Sequence, residues 1–348
     1  MLTVIGIDPH KATHLAAAVD GNGAYLDELR IKARVAGHGE LIGWARQRFP
    51  GQRLWAVEDE RNMAGQLLRD LLAAGEQVVT VPPHIAAGYR KQGRRRGKND
   101  SIDATAVART ALRERLSPFV LDEASRDIKT LTDHRTSLVQ ERVRVQNRLR
   151  DLLHQLDPDL AAAIPSGGLA RSCWQLRIIT DYSDRPGVPA TIVLDLARTC
   201  HDLTTKIRML AKQLTGLVDR AAPALLTMPG CGHLTAAKII GEVAGVHRFR
   251  NDAALATYAG IAPLDASSGN QEHHRLNRGG NRQLNAAIYM LALTQLRLHP
   301  PARAYLTRRM NGGNTWKVAI RALKRQLIRV VYHLLAEHAP KPLTTPAT

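Results

Sequence analysis

The 348-residue sequence predicts a mixed α/β front, a helical middle and a mostly α-helical back. Three observations predict it. Up to residue 118, short β-branched runs alternate with helical stretches. From 119 to 220, apolar residues recur at seven-residue spacing, and from 221 to 339 helix-length stretches are separated by short polar turns. Residues 340–348, PKPLTTPAT, read as a frayed tail.

In the front, Leu2–Asp8 is an apolar run suited to a buried strand. His14–Val19 and Ala24–Ile31 flank Gly21-Asn22-Gly23, a hairpin turn signal. A helix over Glu40–Arg48, a strand over Arg53–Glu58, a helix over Ala64–Ala74 and a strand over Gln77–Val81 follow, the last stopped by Pro82-Pro83. Such an order makes a mixed sheet with helices packed on it. In the middle, Leu131, Leu138, Val145 and Leu152 form one column, and Ile128, Arg135, Arg142, Leu149 and Leu156 its companion. That seam is apolar at its ends and basic at its centre. A second seam runs through Leu196, Cys200, Leu203, Ile207, Leu210, Leu214 and Leu217. With the Gly- and Pro-rich 158–189 region as connector, an antiparallel, coiled-coil-like helical hairpin is expected, packed on itself or against a second copy.

Forty-nine Lys and Arg against 31 Asp and Glu give a net charge of +18, a surface that attracts polyanions. No apolar run approaches the ~18 residues of a membrane span, and the first residues lack the charged-then-apolar order of a signal peptide. A cytoplasmic nucleic-acid binder is the expectation. Aromatic residues are only 4%, which favours duplex and backbone contacts over base stacking. Cys173, Cys200 and Cys231 have neither disulfide-framework nor zinc-site spacing and read as reduced core residues.

Asp8 closes the first strand and Glu58 the fourth, while Asp100 and Asp103 share one face at the start of a helix. Carboxylates on adjacent strand ends and a helix face can converge on magnesium or manganese, which take hard oxygen ligands. Singly, each acid has a plainer reading: Asp100 as a helix N-cap, Asp103 as first-turn charge, Glu58 as one of the cluster Glu58-Asp59-Glu60. Directly upstream, Arg90, Lys91, Arg94, Arg95, Arg96 and Lys98 form either a solvated loop or a set of phosphate-backbone contacts. In the back, Met228-Pro229-Gly230-Cys231-Gly232-His233 has the look of a helix-hairpin-helix turn, where Gly230 and Gly232 would present backbone N–H groups to a phosphate. Ser267-Ser268-Gly269 is followed by His273, His274, Arg275, Arg278 and Arg282, read from composition as either an activated nucleophile or a plain turn before a basic phosphate-binding loop.

Gly6-Ile7-Asp8, Val57-Glu58 and the stretch from Arg95 through Gly97, Lys98, Asp100 and Asp103 to Ala104 resemble the DEDD pattern of the insertion sequence 110 family of transposases. The front domain of that family is similar to the Holliday-junction resolvases of the ribonuclease H-like (RuvC-like) fold. The back of this chain, Gly260-Ile261-Ala262-Pro263 followed by Ser268-Gly269 and Arg278-Gly279-Gly280-Asn281, is similar to the family's second signature, with Arg278 where the family usually has lysine. The resemblance spans about residues 4 to 335 and is weakest in the helical middle. It implies a DNA transposase in which Asp8, Glu58, Asp100 and Asp103 hold magnesium or manganese, with Glu60 as the alternative to Glu58 if the match is shifted by two residues. Ser268, or Ser267 beside it, would form a covalent link to DNA. It also implies a structured guide RNA, and a homo-oligomer, dimer or tetramer, working in the bacterial cytoplasm at the nucleoid. Two other readings fit the residues alone: a metal-dependent junction endonuclease with a purely structural Ser268, and a non-catalytic nucleic-acid scaffold.

Overall fold

The computed structural model describes residues 2–58, 63–82, 85–86, 100–114, 116–265, 274–276 and 279–338. The chain divides into two compact units. One holds residues 1–121 with 246–254 and 340–348, the other residues 122–245 with 255–339.

The first unit is built on a five-stranded sheet: β1 (Thr3–Pro9), β2 (Thr13–Asp20), β3 (Tyr25–Lys32), β4 (Arg53–Glu58) and β5 (Gln77–Val81). The spatial order is β3-β2-β1-β4-β5, with β1 to β3 an antiparallel meander and β4 and β5 parallel to β1. This is the ribonuclease H-like arrangement that the resemblance implies. The β2–β3 turn forms where the sequence predicts it: Asp20 Oδ1 accepts from the backbone N–H of Asn22 (2.9 Å) and Ala24 (2.8 Å), and Gly23 supplies the left-handed φ of +83°.

Because β1 is central, all seven of its residues are buried and its two faces pack against different helices. Ile5, Ile7, Trp55 and Val57 meet α1 (Val35–Arg48) and α2 (Gly65–Ala73) through Leu41, Ala45, Leu67 and Leu71. Val4, Ala56, Val79 and Val81 face the third helix, α3 (Asp100–Arg113), through Val107, Ala108 and Ala111. The first helix starts five residues before the expected Glu40. Gly37 hides that first turn from a periodicity argument, yet a Cβ there would lie 2.2 Å from the Lys32 carbonyl oxygen, so glycine is what lets the turn start against the end of β3.

In the second unit, α4 (Glu123–Leu156) and α7 (Val188–Ala221) are 34-residue helices packed side by side. They run antiparallel: Arg142 reaches Thr204, while the groove lined by His134 and Leu138 on α4 has Lys206, Leu210 and Gln213 on α7. The connector is more ordered than a Gly- and Pro-rich stretch suggests. It contains α5 (Pro158–Ala163), capped by the Asp157 carboxylate, and α6 (Ser172–Tyr182), which buries Ile178 and Tyr182 against Val193 and Ala197 of α7. Cys200 and Cys231 are buried as expected, but Cys173 is exposed on α6; all three are free thiols.

The remainder comprises α8 (His233–Val243), α9 (Asp252–Tyr258), which begins in the first unit, α10 (Arg282–Leu298), α11 (Pro300–Asn311) and α12 (Trp316–His338). It also has a short antiparallel pair, β6 (Pro263–Asp265) and β7 (His274–Leu276), in a region expected to be helical. Three-residue strands are too short to show a period of two. No helix among the described residues is long and apolar enough to cross a membrane.

Candidate functional site

The acidic site is assembled by strand register and one glycine. Parallel pairing sets Ile7 beside Val57, so the next residues, Asp8 and Glu58, stand at neighbouring strand ends. Side chains alternate faces along a strand, and Val4 and Ala56 lie on the α3 side; Asp8 and Glu58 therefore share that side. Both are buried, at 6% and 3% exposure. Gly6, two residues before Asp8, lets the helix in: a Cβ there would lie 2.0 Å from the Ala104 carbonyl oxygen and 2.5 Å from the Ala108 nitrogen. Close packing at Ala104 carries Asp103, its buried neighbour, and Asp100 toward the same strand ends.

Asp8 and Asp100 meet through a histidine. His10 Nε2 is 3.2 Å from Asp8 Oδ2 and 3.7 Å from Asp100 Oδ1. The other Asp100 oxygen, Oδ2, accepts from Arg30 on β3 at 2.9 Å. The Arg30 hydrogen bond holds the Asp100 carboxyl below its ordinary range. Ser101 donates to Glu28, also on β3, so the start of α3 is tied to that strand twice. Among the described residues, Asp8, His10 and Asp100 form the group of three whose donor atoms lie within 4.8 Å of one another. Glu58 and Asp103 are not in that group.

The second predicted site is described only at its base. Ser267, Ser268, His273 and Arg278 lie outside the described residues, as do Glu60, Arg90, Lys91, Arg94, Arg95, Arg96 and Lys98. His274 and Arg275 fall on β7, in register with Asp265 and Leu264. The strands that flank 266–273 are rooted in a close backbone approach: a Cβ on Gly280 would lie 2.2 Å from the Gly260 nitrogen. Asn281 adds further links, among them an Nδ2 donation to the Tyr258 hydroxyl at 3.1 Å. Its N–H donates to the Tyr258 carbonyl (2.7 Å), its Oδ1 caps α10 at Gln283 and Leu284, and its Nδ2 donates to Glu242 Oε2 (2.7 Å). One turn on, Asn285 Nδ2 donates to the carbonyls of Ala259 and Gly260, and Lys324 donates to Asn285 Oδ1 at 2.5 Å. The Gly280-Asn281 pair thus has a local physical reason: glycine for the contact, asparagine for the cap.

Glu242 is 5% exposed and balanced by Lys129, whose Nζ lies 2.7 Å from Oε1. Gly241 permits this pairing, since a Cβ there would lie 2.9 Å from Lys129 Cα. Gly230 (φ +82°) and Gly232 lead into α8 as the turn motif predicts, but a short 3₁₀ turn at Pro223–Thr227 stands where a helix-hairpin-helix would place its first helix. Gly232 to Thr235 line a groove of about 570 Å³ with Lys212 and Thr215 of α7. Arg282 is exposed at the start of α10. Residues that sequence reasoning missed are His10, Arg30, Lys129, Glu242 and Asn285. The signal for His10 was its place two residues after Asp8; Arg30 and Asn285 show only through partners distant in sequence, while Lys129 and Glu242 each also have a charged partner one turn away, Asp133 and Lys238.

The sheet order and the carboxylates at its strand ends are those of a ribonuclease H-like enzyme. Comparison with known families makes the assignment specific. The DEDD transposase model of the IS110 family matches residues 5–158, and the transposase model of the IS116/IS110/IS902 family matches residues 222–307. The chain is 30% identical to the 43.6 kDa protein of insertion element IS110 from Streptomyces coelicolor, over 69% of this chain and 71% of that one. It is 29% identical to the 44.8 kDa protein of insertion element IS116 from Streptomyces clavuligerus, over 99% and 96%. Similarity to the solved structure of T. thermophilus RuvC in complex with a Holliday junction substrate covers 34% of this chain and 100% of that one, at 18% identity and a TM-score of 0.27. The protein belongs to the IS110 family of transposases, enzymes that act on DNA. Family and fold imply a divalent cation at the acids. The donors fit one, because two carboxylate oxygens and a ring nitrogen converge without rearrangement of the strands.

Proposed function

We propose that the protein is a DNA recombinase in which Ser268 attacks a DNA phosphodiester while Asp8, Glu58, Asp100 and Asp103 hold magnesium or manganese. The observation that carries this reading is the convergence of Asp8 and Asp100, on different elements, at the buried strand ends that also bear Glu58. A bound divalent cation would stabilise charge on the phosphoryl oxygens. Ser268 Oγ forms a bond to phosphorus, the bond from phosphorus to one deoxyribose oxygen breaks, and that oxygen leaves with a proton. Attack by the hydroxyl of another strand then reverses the exchange and frees the serine. The number of phosphoester bonds is unchanged, so no nucleotide cofactor is consumed.

Arg90, Lys91, Arg94, Arg95, Arg96 and Lys98 would bind backbone phosphates beside the acids. Gly230, Gly232, His273, His274, Arg275, Arg278 and Arg282 would do so beside the serine. The four-part division at residues 118, 220 and 339 describes a nuclease domain, a helical hairpin, a serine-bearing domain and a tail. In this reading the serine meets the acids of a partner subunit in a homo-oligomer, and a structured RNA encoded by the element selects the DNA sites, in the bacterial cytoplasm. The test incubates the full chain with magnesium, a supercoiled plasmid carrying the element's junction, and its flanking noncoding RNA. A protein–DNA adduct on a denaturing gel, lost in both Ser268→Ala and Asp8→Ala, is the expected result. Cleavage to free ends that persists in Ser268→Ala would instead indicate a junction-type endonuclease. Binding indifferent to magnesium and to Asp8→Ala, with no cleavage, would indicate a scaffold.

A further inference from the structure

The geometry points to His10 as a direct ligand of the cation at the acidic site, one that shifts the site's preference from magnesium toward manganese. This rests on the reading of Asp8 and Asp100 as metal ligands, and it adds a donor of a different kind. Three observations carry it. His10 follows Pro9 at the end of β1, and its Nε2 lies 3.2 Å from Asp8 Oδ2 and 3.7 Å from Asp100 Oδ1. Around one octahedral ion with bonds of about 2.1 Å, neighbouring donors lie about 3 Å and opposite donors about 4.2 Å apart, and both separations fall within that range. Arg30 takes Asp100 Oδ2, which leaves Oδ1 as the oxygen turned to His10. The chemistry of the third donor then decides selectivity. Carboxylate oxygen serves magnesium and manganese alike, whereas imidazole nitrogen favours the transition metal, and magnesium exchanges its water for nitrogen reluctantly. A purely carboxylate site has no such bias.

Manganese(II) alone is the probe, added to the full-length protein without nucleic acid. Pulsed electron paramagnetic resonance reads whether a directly bound nitrogen couples to the ion, and competition with magnesium reads both affinities. The expected result is nitrogen coupling in the wild type that vanishes in His10→Ala and His10→Gln. Both variants should bind manganese about tenfold or more weakly and magnesium within about threefold of wild type. His10 is 48% exposed, so thermal melting of these variants should match the wild type. Bound manganese without nitrogen coupling in the wild type, or coupling that survives both substitutions, overturns the assignment of His10 and leaves the carboxylate reading standing. Manganese binding unchanged in Asp8→Ala overturns both.

Discussion

The acidic site and the root of the serine-bearing segment solve one packing problem by different means. At Gly6, a missing side chain lets a helix settle on a sheet, and the strand register does the rest: Asp8 and Glu58 are aligned by backbone pairing. At Gly241 and Gly280, missing side chains let helices and turns approach each other, but alignment depends on side chains. Glu242, Asn281, Asn285, Lys129 and Lys324 are linked by hydrogen bonds that no regular ladder enforces. A sheet fixes the acids at its strand ends through many redundant backbone bonds. A helical frame fixes a segment through a few buried polar contacts, each costly to lose.

Substitutions can break or sharpen that contrast, and the largest effect is expected at Gly6. Gly6→Val forces a side chain into the backbone of α3 and should cost about 5 kcal/mol, seen as loss of the cooperative unfolding transition of the first unit. Glu242→Ala comes next. It removes the buried carboxylate shared by Lys129, Lys238 and Asn281, leaving the two lysines with Asp133 and the amide with the Tyr258 hydroxyl, and should cost about 3 kcal/mol, measured by urea denaturation. Manganese binding by the acids should persist in it, whereas Gly6→Val abolishes both fold and binding.

A third prediction concerns pH. His14 is 2% exposed on β2, stacked on His38 at 5.5 Å, and its pKa is lowered from 6.5 to about 4 by burial and by the nearby His38 and His10. A lowered histidine pKa means the unfolded chain takes up the proton first. Stability is therefore full above the unfolded value and falls as pH drops through the window from 6.5 to about 4, by up to about 3 kcal/mol. His14→Gln should flatten that slope in denaturation curves taken across the window. The smallest effect is expected from Arg30→Ala. Its ion pair with Asp100 is half exposed and worth at most about 1 kcal/mol, yet the Asp100 carboxyl should rise toward its ordinary range, readable by carbon NMR titration.

Much of the first unit was legible because its signals are local. An acid closing an apolar strand, as Asp8 does, is hard to explain by packing, and glycine between turn residues marks the β2–β3 hairpin. The same reasoning missed His10, which stands past the end of the apolar run where a polar residue is ordinary. Glu242 was invisible for a different reason. It sits in the apolar helix segment Ile239-Ile240-Gly241-Glu242-Val243, and the shorter of its two lysine contacts, Lys129 rather than Lys238, is 113 residues away in sequence. The β6–β7 pair and α5 were missed because three- and six-residue elements carry too little periodicity, and the 11-residue α6 because it is set between Gly- and Pro-containing turns. Family resemblance supplied what periodicity did not: the roles of Ser268 and of the four acids as one set.

Those roles converge in a single measurement. The DNA adduct formed in magnesium would be digested with nuclease and protease, and the peptides read by tandem mass spectrometry. A nucleotide remnant on Ser268, absent without divalent cation and absent in Asp8→Ala, is the predicted result. A remnant on any other residue, or DNA cut to free ends with no remnant on the protein, would contradict it.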